Sequence, residues 1–258
     1  TVISEKQANR ISNLKSNSFT KTLVIWYQQN KRDLPWRKTV DPYKIWLSEI
    51  ILQQTRVAQG LPYFEKFTDN FPTIRELADA PETKILRLWQ GLGYYSRAKN
   101  LHKCAKLIVS EFDGEFPNTH ATLLKLPGIG PYTAAAISSF SYKIPVAVVD
   151  GNVFRVLSRV FGIESDISSP SGIKAFNQLA NELLDNEIPD IYNQAIMEFG
   201  ALQCVPKNPL CNDCPFQSKC FAYLNSRVKE LPVKLKKTKV RNRYFNYFVF
   251  EMDGRFAM

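Results

Sequence analysis

The segment "CVPKNPLCNDCPFQSKC" holds the densest chemistry in the chain. Cys204, Cys211, Cys214 and Cys220 are separated by six, two and five residues. Four thiolates in one short loop need a soft metal centre to hold them together. Four-cysteine zinc sites usually show two close pairs, and here only Cys211 and Cys214 are that close. The wider gaps suit the corners of a bulkier 4Fe–4S cube; zinc is the competing reading and disulfides come third. The loop either carries electrons or presents Lys207, Lys219 and Arg227 to phosphates. No flavin or nicotinamide fingerprint accompanies it, which favours the second role. Cys104 stands apart on a predicted helix and reads as a small buried hydrophobe.

Two carboxylates stand out. Glu49, in "WLSEIILQQTRVAQ", has Ile45 and Trp46 one helical turn back and Leu52 one turn on. A carboxyl among such neighbours is desolvated and keeps its proton near neutrality, as a general acid must. The simpler alternative is a surface glutamate, and the apolar neighbours argue against it. Asp150, in "VVDGNVFRVLSR", follows a loop containing Pro145. It could cap the next helix, although Asn152 is placed to do so as well. Between the two lies "LPGIGPYTAAA". Gly128 and Gly130 permit torsions that other residues resist, and the helix opening at Pro131 turns its positive end outward. Together they offer a phosphate site that reads no base sequence; taken alone, a plain helix–helix turn is the simpler reading. Tyr132 sits just past the turn.

These groups need helices to position them. Apolar periodicity predicts helices over Phe19–Gln29, Lys44–Gln59, Glu82–Gln90, Asp150–Phe161, Ile173–Leu184 and Ile191–Leu202. Phe64, Phe67 and Phe71 form a further stripe. Another helix, capped by Ser96, buries Leu101, Ala105, Ile108 and Phe112 and turns Arg97, Lys99, Lys103 and Lys106 outward. The expected fold is all-α, in two helical lobes. The 258 residues are 45% hydrophobic, enough for a real core, and carry a net charge of +10, which points to a polyanionic partner. No apolar run matches a membrane span, and the first residues lack a signal-peptide pattern. Crowded cysteines without a disulfide framework imply a reducing compartment, cytoplasmic or nucleoid-associated. Residues 227–243 carry eight Lys or Arg against one acid, Glu230, and read as a basic linker. "YFNYFVFEM" followed by Asp253-Gly254 predicts a strand and hairpin turn. A β-containing domain is therefore expected to begin near Tyr244 and to be cut off by the chain end.

A helix–hairpin–helix, a proline-containing loop, an aspartate and a four-cysteine loop, in that order, resemble the helix–hairpin–helix superfamily of DNA glycosylases with an iron–sulfur loop. The cysteine spacing matches the loop shared by endonuclease III and the adenine glycosylases of the MutY family. The resemblance covers about residues 19 to 226. Glu49, with "LQQT" and "VAQGLPYF" after it, looks like the MutY branch, where the matching glutamate protonates N7 of adenine. Tyr132 stands where bifunctional relatives have a Schiff-base lysine, which implies base removal without strand cleavage.

The resemblance implies one 4Fe–4S cluster on Cys204, Cys211, Cys214 and Cys220. It implies Glu49 as acid, Asp150 as the ionised group facing a cationic sugar, and Tyr132 and Asn152 as their positioners. Trp36, Arg37 and Gln194 would line the pocket of a flipped adenine. Gln54, Thr55, Tyr94, Gly128 and Gly130 would contact DNA, with Tyr94 as a wedge and Gln54 filling the gap. Residues 1–36 and 148–226 would form an iron–sulfur cluster domain. Residues 37–147 would form a six-helix barrel-like domain with the hairpin, and 244–258 the first strands of a MutT-like domain. The implied substrate is duplex DNA bearing adenine opposite 8-oxoguanine or guanine, bound by a monomer away from any membrane. Without a complete MutT-like domain, the chain is expected to discriminate poorly between 8-oxoguanine and guanine. A mismatch thymine glycosylase, a non-catalytic iron–sulfur DNA-binding module and a redox protein are the competing readings. Glu49 argues against the first, because thymine has no N7 to protonate.

Overall fold

The computed structural model describes residues 18–235, 244, 249–253 and 255–257. Residues 236–243 of the expected basic linker and 245–248 of the expected strand therefore lie outside the described residues. The described chain is helical: α1 (Ser18–Asn30), a 3-10 turn (Pro35–Arg37), α2 (Pro42–Leu52), α3 (Val57–Asn70), α4 (Ile74–Asp79), α5 (Glu82–Trp89), α6 (Ser96–Phe112), α7 (His120–Leu123), α8 (Pro131–Tyr142), α9 (Gly151–Phe161), α10 (Pro170–Leu183), α11 (Pro189–Leu202), a second 3-10 turn (Gln217–Lys219) and α12 (Phe221–Leu224). Two short strands, β1 (Phe250–Met252) and β2 (Arg255–Ala257), pair antiparallel with Met252 opposite Arg255. The two residues between them are the Asp253-Gly254 pair expected to turn.

Buried side chains gather into two clusters. One is built from α2 to α8 around Trp46, Phe67, Trp89 and Ala134–Ile137. The other joins the N-terminal α1, through Phe19, Leu23 and Trp26, to α9, α10 and α11, and takes in Phe216 beside the cysteine loop. α11 packs on α1, α9 and α8, and so spans the boundary between the clusters. Among the described residues no helix is long and apolar enough to cross a membrane.

Three local expectations change. The helix expected over Lys44–Gln59 is broken. α2 stops at Leu52, Gln54 turns into the left-handed region with φ 55°, and α3 starts at Val57. No glycine or proline marks this break. Ser96 is the first residue of α6 rather than its cap; the N-cap, Tyr95, makes no side-chain capping bond. Of the hairpin glycines only Gly128 uses its freedom, with φ 76°, whereas Gly130 caps α8 at an ordinary φ of −92°.

Gly200, on α11, serves close approach. A Cβ there would come within 2.6 Å of Asn152 Cβ and 3.0 Å of the Asn152 carbonyl oxygen. The bare backbone lets α11 press on the first turn of α9. Gly200→Ala is expected to destabilise the fold by about 1–3 kcal/mol through overpacking, measured as a lower denaturant midpoint at unchanged m; an unchanged midpoint would show that the contact relaxes freely.

Candidate active site

α2 is buried all round. Asp41 caps it by accepting from Tyr43 N at 2.9 Å, Pro42 opens it, and every residue from Ile45 to Ile51 is buried. Glu49 shares that fate at 8% exposure. Burial pushes its carboxyl up to about 7, a negative charge on Asp150 adds to the rise, and a hydrogen bond from Tyr132 and the charge of Arg37 oppose it. The Tyr132 hydroxyl, brought in on the first turn of α8, donates to Glu49, and its own pKa lies well above the ordinary value because it is buried between two carboxylates.

Asp150 is itself the N-cap of α9. Its Oδ1 accepts from Val153 N at 2.8 Å and its Oδ2 from Asn152 Nδ2 at 2.6 Å. Of the two candidate caps, Asp150 takes the role, and Asn152 lies inside the helix and holds the capping carboxylate. Asn152 Oδ1 in turn accepts from Arg155 at 2.8 Å, and Arg155 Nε reaches the Cys204 carbonyl at 2.7 Å. Burial raises the pKa of Asp150, against the pull of the Val153 and Asn152 donors. A helix N-terminus and two donors favour the carboxylate, whereas Glu49 has one hydroxyl partner. The two acids therefore sit among different hydrogen-bond partners. The approach to Asp150 is fixed by Asn193, which accepts from Val148 N at 3.0 Å and donates to Val146 O at 2.9 Å and Ser139 Oγ at 2.8 Å.

Both carboxylates face one cleft of about 1040 Å³, lined also by Trp36, Arg37, Tyr132, Asn152 and Gln194, with Gln54 and Thr55. Of the predicted site residues, these nine come together. Trp36 packs edge-on against Phe64. Tyr94 lies outside the cleft, 66% exposed on a loop, and Gly128 and Gly130 lie at the start of α8. No signal pointed to Glu198. It is 1% exposed, binds Arg37 through two contacts of 2.8 Å and also binds Arg32 at 2.6 Å. The two guanidiniums hold its carboxyl down at about 2. Tyr27, likewise missed, donates to Gln194 Oε1 at 2.8 Å. Both reach across the sequence by more than 160 positions, so no local pattern carries them.

The four loop cysteines line a second, small cavity with Arg159 beside them. None of the four is paired in a disulfide. Arg159 donates to Cys204 Sγ at 3.5 Å and to the Val205 and Pro206 carbonyls, and Cys220 Sγ donates to the Arg159 carbonyl at 3.4 Å. Among the described residues, no set of three or more His, Cys, Asp or Glu is arranged to hold a metal ion. The loop does supply an all-thiol donor set around one cavity, and that chemistry fits a soft, thiolate-bound group.

Residues 47–182 match the family model of HhH-GPD superfamily base excision DNA repair proteins. The chain is 39% identical over 239 residues to an adenine DNA glycosylase of Buchnera aphidicola subsp. Schizaphis graminum, covering 92% of this chain and 69% of that protein. It is 45% identical over 227 residues to an adenine DNA glycosylase of Rattus norvegicus, covering 83% of this chain and 44% of that one. The solved structure of a thermostable thymine-DNA glycosylase superposes with a TM-score of 0.74 at 28% identity, over 83% of this chain and 99% of that one. The chain belongs to the HhH-GPD superfamily and, within it, to the adenine DNA glycosylase family. It spans between 44% and 69% of the length of these two relatives.

The raised pKa of Glu49 has a sign. In the unfolded chain the group ionises near its ordinary 4.5, in the fold near 7. Its contribution to stability is complete below about 4.5 and is lost as pH rises to about 7. Glu49→Gln, which cannot ionise, should therefore melt higher than the parent at pH 8, by on the order of 1–3 kcal/mol, with the gap closing by pH 4.5. A gap independent of pH, read from paired thermal melts, would contradict a proton-retaining Glu49.

Proposed function

We propose that the protein is a monofunctional adenine DNA glycosylase acting on adenine opposite 8-oxoguanine or guanine in duplex DNA. The observation that carries this reading is the pairing of a buried, proton-retaining Glu49 with a capped, hydrogen-bonded Asp150 in one cleft. Glu49 delivers its proton to N7 of the flipped adenine. The C1′–N9 bond then breaks, and its electron pair leaves with the base. Asp150, kept as the carboxylate by Val153 and Asn152, stabilises the cationic sugar until water adds at C1′. Water is deprotonated by the now ionised Glu49. Tyr132 orients Glu49 and has no amine with which to form a Schiff base, so the backbone stays intact.

The pocket reading is supported by the same cleft. Trp36 offers an aromatic face. Gln194, with Oε1 committed to Tyr27, keeps its amide nitrogen as a donor. Arg37, paired with Glu198, lowers the pKa of Glu49 only against the larger rise caused by burial. Gln54 and Thr55, on the cleft wall, and Tyr94, outside it, contact the duplex. The hairpin grips a phosphate: Gly128 shapes the turn, and Gly130, with open space where a Cβ would be, leaves the start of α8 approachable. The two buried clusters act as the six-helix and cluster domains. The cysteine loop holds one 4Fe–4S cluster through Cys204, Cys211, Cys214 and Cys220; when bound, the group braces this loop and takes no part in the steps above. The protein acts as an intracellular monomer on DNA.

Single-turnover assays on A:8-oxoguanine, A:G and T:G duplexes, with and without alkali, test this. Adenine release is expected from the first two duplexes, with strand breaks only after alkali. Glu49→Gln and Asp150→Asn should each slow release at least about 100-fold. Release of thymine instead, or full activity in both variants, would sink the reading. Elemental analysis of the purified protein should find about four irons and four sulfides per chain, lost in Cys214→Ser; one zinc and no sulfide would rule the cluster out.

A further inference from the structure

Two loops beside the cleft share an uncommon backbone state. Gln54 has φ 55° and Tyr94 has φ 48°, a left-handed region that non-glycine residues seldom occupy. Both residues are exposed. Such torsions persist only where the surroundings over-determine them, and here the surroundings converge on one guanidinium. Arg97 Nη1 donates to the carbonyls of Ile50 and Ile51 at 3.0 Å each and of Gln53 at 2.7 Å. These are end carbonyls of α2, which lack intrahelical donors, and the residue directly before Gln54. Nη2 donates to the Leu92 carbonyl at 3.3 Å, two residues before Tyr94. The same group stacks over the Tyr94 ring at 5.7 Å and the Trp89 ring at 5.2 Å. Trp89 Nε1 then fixes the Gly93 carbonyl at 2.9 Å.

We infer that Arg97 is a positioning residue that locks the Gln54 loop and the Tyr94 loop into one preformed edge, so that both side chains enter the duplex together. The inference rests on the DNA-contacting reading of those two residues given above. A preformed edge meets DNA without the cost of ordering two separate loops on contact. The helical pattern that turned Arg97 outward with Lys99, Lys103 and Lys106 missed this role, because the partners lie over 40 positions away. Lysine cannot replace it, since one ammonium lacks the planar fork that spans both loops.

The test uses Arg97→Met in the whole chain, with two readouts. Hydrogen exchange without DNA should quicken by about tenfold at residues 50–56 and 90–96 together, and stay at parental rates in the second buried cluster. Loosening of one loop alone, or of neither, overturns the coupling. Single-turnover adenine release should then slow by about tenfold on an A:8-oxoguanine duplex, yet change less than about twofold when the adenine lies opposite an abasic site and needs no wedge. Equal losses on both duplexes overturn the wedge role. If the parent releases no adenine at all, the glycosylase reading fails, and the exchange result alone judges Arg97. Should Arg97→Met not fold, Arg97→Lys keeps the charge, reaches one loop at a time and is held to the same two readouts.

Discussion

A carboxyl group on a helix that is buried on every side is the constraint around which the cleft is organised. α2 sends Tyr43, Ile45, Trp46, Leu47, Ile50 and Ile51 into the core, and Glu49 goes with them. An ionised glutamate in that setting is costly, so the group meets neutral pH partly protonated. The neighbours moderate this cost without removing it. Tyr132 gives one hydrogen bond, and Arg37 lends a positive charge already shared with Glu198.

Asp150 meets a different set of partners, because it doubles as the cap of α9. Capping and catalysis usually compete as explanations of a lone aspartate; here the capping carboxylate also faces the cleft. The Val153 amide and the Asn152 side chain hold the two carboxylate oxygens, Asn193 holds the backbone that arrives at it, and the absent side chain of Gly200 lets α11 close over that first turn. α11 thereby links the Gln194 and Glu198 side of the cleft to the Asp150 side.

Much of the site was legible in the sequence because its key residues carry local marks. The apolar turns around Glu49 announced its burial, and the glycine-proline turn announced the start of α8 and hence the place of Tyr132. What escaped was long-range or locally unmarked. The break between α2 and α3 contains no glycine or proline, and a strongly apolar run read through it. The guanidinium that donates to the carbonyls of Ile50, Ile51 and Gln53, just before left-handed Gln54, belongs to Arg97 on another helix. Glu198 sits on an apolar helix face, and its two arginine partners near residue 35 give no sign of the pairing. Tyr27 reads as a core aromatic, which it is; its hydroxyl acquires a role only once Gln194 is beside it. Capping was misread at Ser96 and left open between Asp150 and Asn152, because several polar residues near a helix start satisfy the same preference.

The central claim is that burial, moderated by Tyr132 and Arg37, keeps a proton on Glu49 near neutrality for transfer to the base. The pH dependence of single-turnover adenine release at subsaturating enzyme, from pH 5.5 to 8.5, addresses it most directly, because that rate reports the free enzyme's essential acid. The rate is predicted to fall as pH rises through about 7. A rate that stays constant across that range would contradict it.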